Sequence, residues 1–120
     1  MTAIPILDKA VTRLMELDQA SVFALADIAN ERLRQIEQEG WSPDHDDRHS
    51  PGTMSAAAGC YALYRKNSQE ADCEDCESMW PWDIEWWKPG SPNRNQIRAG
   101  ALLVAELARH LRSAPSQSER

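Results

Sequence analysis

The chain has 120 residues, of which 42% are hydrophobic and 27% charged, proportions typical of one globular domain. Thirteen basic residues against nineteen acidic ones leave a formal net charge of -6, which argues against DNA or RNA as the main partner because a phosphate backbone is also negative. Since no apolar run approaches the roughly 20 residues of a membrane helix, we expect no membrane partner.

The beginning of the chain and its cysteines indicate the compartment. Met1 is followed by Thr-Ala-Ile-Pro-Ile, which lacks the charged and the long apolar regions of a secretory signal. The three cysteines, Cys60, Cys73 and Cys76, are an odd set that suits free thiols better than a disulfide framework. We therefore expect the protein to stay in a reducing cytoplasm.

The first forty residues predict two amphipathic helices. Apolar side chains recur at three- and four-residue spacing after Pro5, which predicts a helix at about 6–18. A second helix is expected at 21–39, where Ser21 can cap the beginning and Gly40 ends it.

Two further helices complete the prediction. Thr53 can cap a third helix at 53–66, and a fourth helix at 96–112 carries the clearest apolar stripe of the chain. No alternating pattern of useful length predicts a strand. We therefore expect an all-α fold in which residues 1–112 form a single compact domain of about four helices.

Three segments lack helical periodicity. Residues 41–52 contain prolines, a glycine and several Asp and Ser, so they predict an ordered loop without regular structure. Residues 67–78 contain five acidic side chains and almost nothing apolar, which predicts a flexible surface insert. Residues 113–120 are expected to be a disordered tail.

The fourth predicted helix carries a stripe of arginines. Because an α-helix turns about 100° per residue, Arg109 lies within roughly 20° of Arg98, and Arg112 about 40° to the other side. Three planar guanidinium groups on one stripe could clamp a phosphate. The alternative is a solvated face whose arginines pair with Glu106 or with the acidic loops.

Residues 80–89 place four tryptophans around two prolines. An indole ring stacks on any nucleobase, so together with the arginines this segment predicts a nucleotide site. The alternative is that the rings attach a long irregular segment to a small helical core, and we expect this role for at least two of the four.

The loop at 44–49, DHDDRH, contains potential metal ligands and proton carriers. Metal-dependent hydrolysis would need further ligands on other helices, whereas the chain has only three His. We instead expect a structural role, in which Asp46 or Asp47 accepts hydrogen bonds from loop amides or from an arginine of the preceding helix. The residues of this structural loop are Arg32, Arg34, His45, Asp46 and Asp47.

Other catalytic motifs are weak or missing. The pair Cys73-x-x-Cys76 has no matching second pair, which leaves zinc and thioredoxin-like chemistry poorly supported. An all-α nucleotide pyrophosphohydrolase would need paired acidic motifs on helices, and only Glu74-x-x-Glu77 resembles one. The sequence thus predicts no metal, no cofactor and no catalytic residue.

The order of motifs resembles that of a family of small phage and prophage proteins. The motifs are ERLRQIEQEGW (31–41), DHDD (44–47), an Ala-rich helix with Cys-Tyr-Ala (60–62), WPWDIEWWKP (80–89) and NQIRAGALLVAELAR (95–109). The same order is similar to that of the type-one Thoeris anti-defence proteins. Those phage proteins sequester a cyclic ADP-ribose isomer made by a bacterial Toll/interleukin-receptor-domain enzyme.

This resemblance implies a non-enzymatic sponge for a cyclic nucleotide immune signal, acting in the cytoplasm of an infected or lysogenic bacterium. It implies ligand contacts from Trp82, Asn95, Arg109 and Arg112, to which the arginine stripe adds Arg98. Some members form hexamers built from dimers and bind cyclic di- or trinucleotides at separate sites. The resemblance therefore also implies a homodimer or such a hexamer.

Small residues predict self-association independently of the resemblance. Those at 56–59 and 99–101 allow close helix approach, and a chain of this length has little room for a private ligand pocket. Two rival functions remain open. Magnesium-dependent turnover of the ligand would indicate an all-α nucleotide hydrolase, and a complete lack of nucleotide binding would indicate a phage protein-interaction module.

Overall fold

The computed structural model describes residues 5–64 and 78–113, and all regular structure within these ranges is helical. The all-α prediction is confirmed there. The predicted acidic insert with Cys73 and Cys76 lies outside the described residues, except for Ser78, as does the predicted tail after Ser113. The helices are α1 (Pro5–Leu14), α2 (Gln19–Glu39), α3 (Pro43–Asp46), α4 (Thr53–Leu63) and α5 (Pro92–Ser113), and a 3-10 turn spans Ile84–Trp86.

The boundary between α1 and α2 differs from the prediction because Asp18, not Ser21, caps α2. The Asp18 carboxylate accepts hydrogen bonds from the Ser21 amide at 3.4 Å and from the Ser21 hydroxyl at 2.5 Å. A carboxylate in this position satisfies free amide groups of the first turn, so α2 begins at Gln19. The preceding helix α1 ends at Leu14, before the predicted end at 18. At the other end Gly40 has a φ of 75° and terminates α2 as expected.

The prediction of a loop without regular structure at 41–52 is wrong at one place, the single-turn helix α3. The Ser42 side chain accepts a hydrogen bond from the His45 amide at 3.2 Å, and Pro43 occupies the first helical position. A capping hydroxyl followed by proline is a helix-start signal, and it outweighs the turn-forming composition of the segment.

The beginning of α4 also departs from the prediction, since Thr53 is not its cap. Gly52 holds the cap position with a φ of 90° and no side chain to accept a hydrogen bond. The Glu106 carboxylate of α5 takes this role, because it accepts from the amides of Gly52 at 2.9 Å and of Ser55 at 3.3 Å. A residue 54 positions away therefore caps α4.

The core lies where α4 and α2 pack on α5. Small side chains allow these crossings: Ala57, Ala58 and Ala99 are buried, and a Cβ on Gly100 would lie 2.6 Å from Cδ1 of Ile28. Most of the small residues at 56–59 and 99–101, which we expected between copies of the chain, thus pack helices within one protomer. Gly59 is different, because a Cβ there would have no neighbour within 4 Å among the described residues.

Residues 80–89, hereafter the strap, cross this core without regular structure apart from the 3-10 turn. Trp80 is buried and its indole Nε1 donates to the Asp83 carbonyl at 3.0 Å. Trp87 packs against Trp80 and Tyr61, with ring centroids 4.9 and 4.8 Å away. Two of the four strap rings therefore attach the strap to the core, and the other two, Trp82 and Trp86, line a cleft.

Candidate tryptophan cleft

A cavity beside the strap, hereafter the tryptophan cleft, has a volume of about 570 Å³. This volume lies in the range of roughly 300–1,000 Å³ that is usual for small-molecule sites. The strap forms one wall, the loop after α2 forms the other, and α4 and α5 form the floor. The lining residues are Arg32, Trp41, His45, Asp46, His49, Met54, Pro81, Trp82, Asp83, Trp86, Leu102 and Ala105. The expectation that one chain has little room for a private pocket is therefore wrong.

Three indole rings dominate the cleft. The ring centroid of Trp41 lies 6.0 Å from that of Trp82 and 6.4 Å from that of Trp86, with interplanar angles of 48° and 53°. Trp82 is half-buried and Trp86 is 41% exposed. Because the rings are tilted and not stacked face to face, parts of their π faces stay open to a planar ligand.

A buried ion pair holds the loop wall against α2. The Arg32 guanidinium donates to the Asp46 carboxylate and, at 3.2 Å, to the carbonyl of Trp41. The side chain of Arg32 is only 10% exposed and that of Asp46 only 3%. Of the alternatives that the sequence left open for this loop, the structure thus joins Arg32 to Asp46. Arg34 bonds other carboxylates, those of Glu31 and Glu39.

Two imidazoles line the same wall. The rings of His45 and His49 meet edge to face at 5.1 Å, and His49 lies 5.3 Å from the ring of Trp82. Burial and the neighbouring His45 lower the pKa of His49. The imidazole of His49 is therefore neutral at pH 7 and can donate or accept a hydrogen bond in the cleft.

The predicted ligand residue Asn95 does not line the cleft. It is 2% exposed, and its side-chain amide accepts from the Gly90 amide at 2.7 Å and donates to the Gly90 carbonyl at 3.1 Å. The helix α5 begins at Pro92, before the expected start at 96, and this brings Asn95 into the first turn next to the end of the strap. Asn95 thus positions the strap.

The three arginines of the predicted clamp share a stripe but are separated along the helix axis. Because a helix rises about 1.5 Å per residue, Arg109 and Arg112 lie roughly 17 and 21 Å beyond Arg98. Arg98 donates to the carbonyl of Lys88 in the strap and lies 5.8 Å from the Tyr61 ring. A single phosphate cannot contact all three, so the expectation of a joint clamp needs correction.

The two arginines at the end of α5 each bond a carboxylate. Arg109 donates to Glu106 through two nitrogens at 3.0 and 2.9 Å, and Arg112 donates to Asp47 at 3.1 and 2.8 Å. Burial alone would raise the pKa of Glu106, but the bonds from Arg109 and the backbone amides outweigh it and lower that pKa. Arg112 likewise lowers the pKa of Asp47. This end of α5 adjoins the loop that carries His49, because the charge of Arg109 contributes to lowering the pKa of His49.

Sequence reasoning missed Trp41 and His49 as members of the site. Trp41 directly follows the left-handed Gly40, so a large ring at the point where the chain turns back was an available signal. His49 follows His45 by four residues, but no local pattern shows that both face the strap. Both Trp41 and His49 contact Trp82, which lies at least 33 positions away in the sequence, so local patterns cannot predict these contacts.

Neither a cluster of metal ligands nor a known relative identifies the ligand of this site. Within residues 5–64 and 78–113, no three His, Cys, Asp or Glu side chains converge in a way that could hold a metal ion. In the same ranges, no helix has the length and apolarity needed to cross a membrane. The chain matches no known family model, no curated protein and no solved structure.

Proposed function

We propose that this protein binds a cyclic nucleotide signal in the tryptophan cleft and sequesters it without cleaving it. The observation that carries the proposal is the set of three tilted indoles around a cavity of about 570 Å³. Base stacking on an aromatic ring tolerates any nucleobase and stabilises a complex by about 1–3 kcal/mol per base. Such a site needs shape and stacking, and no nucleophile or metal set.

The sequence resemblance to Thoeris anti-defence proteins supports the choice of ligand and biological role. On this proposal the protein is a phage product that withholds a cyclic ADP-ribose isomer from a bacterial defence system, and cyclic di- and trinucleotides are further candidate ligands. The place of action is the cytoplasm of the bacterial host.

Phosphate recognition is assigned on this proposal to the end of α5. The Arg112–Asp47 pair is exposed, with 35% and 43% of the two side chains accessible, so exchanging the carboxylate for a phosphate costs little. Arg109 is 11% exposed, and it can attract the phosphate through its positive charge and through the guanidinium N–H groups that do not bond Glu106. Trp82 stacks on the base. Asn95 holds Gly90, directly after the strap, and Arg98 holds Lys88 within it.

The proposal is tested by incubating the purified protein with a panel of cyclic nucleotides and NAD derivatives, removing free ligand, and heat-denaturing the complex. We expect one ligand to be depleted from solution and to return chemically intact. A magnesium-dependent change in the released molecule would instead indicate the nucleotide hydrolase. Neither depletion nor a thermal shift with any ligand would favour the protein-interaction module.

We also propose that the protein self-associates. The basis is the exposed apolar side chains of α1, and no longer the small residues at 56–59 and 99–101. Every side chain of α1 from Leu7 onward is exposed, including the apolar Leu7, Val11 and Leu14. A ten-residue helix is too short to be stable by itself in water, so an apolar stripe on α1 needs a covering surface. The exposed side chains Leu103 and Leu107 of α5 offer apolar area of the same kind.

Size-exclusion chromatography with light scattering tests this proposal. We expect a mass of at least twice the 13.6 kDa protomer, and a shift toward the monomer in Val11→Glu, which places a charge in the apolar stripe. Lys9→Glu on the same helix is the control, because Lys9 lies outside the stripe. A 13.6 kDa species at all concentrations would contradict the proposal.

A further inference from the structure

A second, smaller pocket lies directly behind the tryptophan cleft. Its volume is about 180 Å³, and it shares Trp41, Trp86 and Leu102 with the cleft as a common wall. Because pockets for whole small molecules have volumes of roughly 300 Å³ or more, this one suits one group of a larger ligand. The other lining residues are Glu31, Arg34, Gln35, Glu39, Tyr61, Lys88 and Arg98.

Gln35, which lines this pocket, carries an unsatisfied acceptor. The residue is 2% exposed, its Nε2 donates to a Glu31 carboxylate oxygen at 3.3 Å, and its Oε1 has no hydrogen-bond partner among the described residues. Exchanging the amide oxygen and nitrogen does not solve this, because the oxygen would then face the Glu31 carboxylate. Buried polar atoms are nearly always paired, so Oε1 calls for a donor from outside the described residues.

The charges around the pocket define what kind of donor fits. Arg34 bonds both Glu31 and Glu39, and Arg94 bonds Glu31 as well, so these carboxylates are already neutralised. Lys88 and Arg98, by contrast, have no carboxylate partner within the described ranges. The Lys88 ammonium lies 5.7 Å from the Trp86 ring. This surplus of positive charge disfavours an ammonium group and favours a neutral N–H donor on an anionic molecule.

We infer that the second pocket binds an amino-bearing heterocycle of the ligand, whose N–H donates to Oε1 of Gln35. The inference rests on the proposed nucleotide binding and adds a specificity to it. Because the Trp86 ring borders both compartments and is 41% exposed, a ligand that bends over this ring presents one planar group to the tryptophan cleft and an amino-substituted ring to Gln35. A nucleotide with an adenine-type or cytosine-type base meets this requirement, and one whose base lacks an amino group does not.

The test compares adenine with purine, which lacks the amino group, by titrating each into the isotope-labelled full chain. NMR follows the side-chain amide signal of Gln35 and, in every variant, the indole N–H signal of Trp86, which lines the same pocket. We expect adenine to shift the Gln35 signal and to bind roughly tenfold more tightly than purine, the ratio typical of one hydrogen bond to a buried acceptor. Gln35→Met keeps the length of the side chain without the acceptor, and we expect it to bind both bases equally. Gln38→Met is the matched control, since Gln38 is exposed on the same helix.

Each outcome decides between the two proposals. Equal affinity of the wild-type chain for adenine and purine would by itself overturn the inference. Nucleotide sequestration would still stand if the protein depletes a cyclic nucleotide from solution. A preference for adenine that persists in Gln35→Met would also overturn the inference, because the amino group would then be recognised by a group other than Oε1 of Gln35. A preference that depends on Gln35, without retention of any cyclic nucleotide, would support the pocket and refute the sequestration.

Discussion

Two ion pairs connect the loop after α2 to the helices, and neighbouring aspartates form them. Asp46 bonds Arg32 of α2 beneath the tryptophan cleft, where both side chains are buried. Asp47 bonds Arg112 at the end of α5, where both are substantially exposed. Two adjacent, chemically identical residues thus differ in burial and in the helix that they contact.

This difference separates a structural pair from an exchangeable one. A buried charge without its partner costs several kcal/mol, whereas an exposed pair contributes about 0–1 kcal/mol because water screens and solvates both groups. The Arg32–Asp46 pair therefore maintains the cleft, and the exposed Arg112 is the guanidinium to which the proposed function assigns the ligand phosphate. The predictions below test this comparison, from the largest expected effect to the smallest.

Removing the buried carboxylate should have the largest effect. We expect Asp46→Ala to lower the free energy of unfolding by about 3–5 kcal/mol, because it leaves the Arg32 guanidinium buried and unpaired. Urea denaturation measures the change. Asp47→Ala serves as the control and should cost less than about 1 kcal/mol. Equal losses in the two variants would contradict the distinction between the pairs. If Asp46→Ala does not fold, the double variant Arg32→Met, Asp46→Leu should recover most of the stability.

The adjacent strap rings Trp86 and Trp87 separate binding from stability. We expect Trp87→Ala to lower the free energy of unfolding by about 3 kcal/mol, since the ring packs on Trp80 and Tyr61. Trp86→Ala should leave stability within about 1 kcal/mol but weaken nucleotide binding by about 1–3 kcal/mol, through lost stacking. Thermal melts and quenching of tryptophan fluorescence provide the two measurements. A loss of stability without a loss of binding in Trp86→Ala would remove this ring from the site.

The exposed arginine should affect binding alone. If Arg112 donates to a ligand phosphate, Arg112→Ala removes charge-assisted hydrogen bonds of about 1.5–3 kcal/mol and lowers affinity roughly tenfold to a hundredfold. Its unliganded melting temperature should change by only a few degrees. Arg109→Ala should weaken binding too, but it also leaves the buried Glu106 without its guanidinium partner and therefore lowers stability. Arg13→Ala, an exposed paired arginine on α1, is the control. Unchanged affinity in both variants would move phosphate recognition away from this end of α5.

Acidification should have the smallest effect, and it acts through His49. Since the pKa of folded His49 lies below the ordinary value of 6.5, the unfolded chain binds more protons as the pH falls through that value. Stability is then lost progressively toward the folded pKa, and the melting temperature should drop by up to a few degrees between pH 7.5 and 5.5. The charges that face His49 are those of His45, Asp46, Glu106 and Arg109. His49→Gln should show a smaller drop.

Carboxylates do not explain that drop in stability. The pKa values of Glu31 and Glu106 are lowered from 4.5, so the stability that these groups contribute is lost only at more acidic pH. Affinity for an anionic nucleotide should rise as His49 gains its proton, opposite in sign to stability. An affinity that falls between pH 7.5 and 5.5 would show that the charge on His49 does not act on the bound anion.

The sequence alone determined those features that depend on neighbours along the chain. Apolar periodicity gave the helical class and the approximate places of the four long helices, and Gly40 marked the end of α2 because a left-handed residue there is a local requirement. Local rules were less successful where several residues could serve as caps: Asp18 competes with Ser21, and Ser42 starts a helix in a segment rich in turn-forming residues.

Only the tertiary structure decided the site. The contact of Trp41 with Trp82 and Trp86, and the capping of α4 by Glu106, join residues more than forty positions apart, and no local pattern specifies which distant groups meet. The angular position of Arg98, Arg109 and Arg112 on α5 was predictable from helix geometry, but their partners were not. The Arg32–Asp46 pair is buried and the Arg112–Asp47 pair is exposed. Burial depends on how distant helices pack together, so the sequence pattern around either arginine does not determine it.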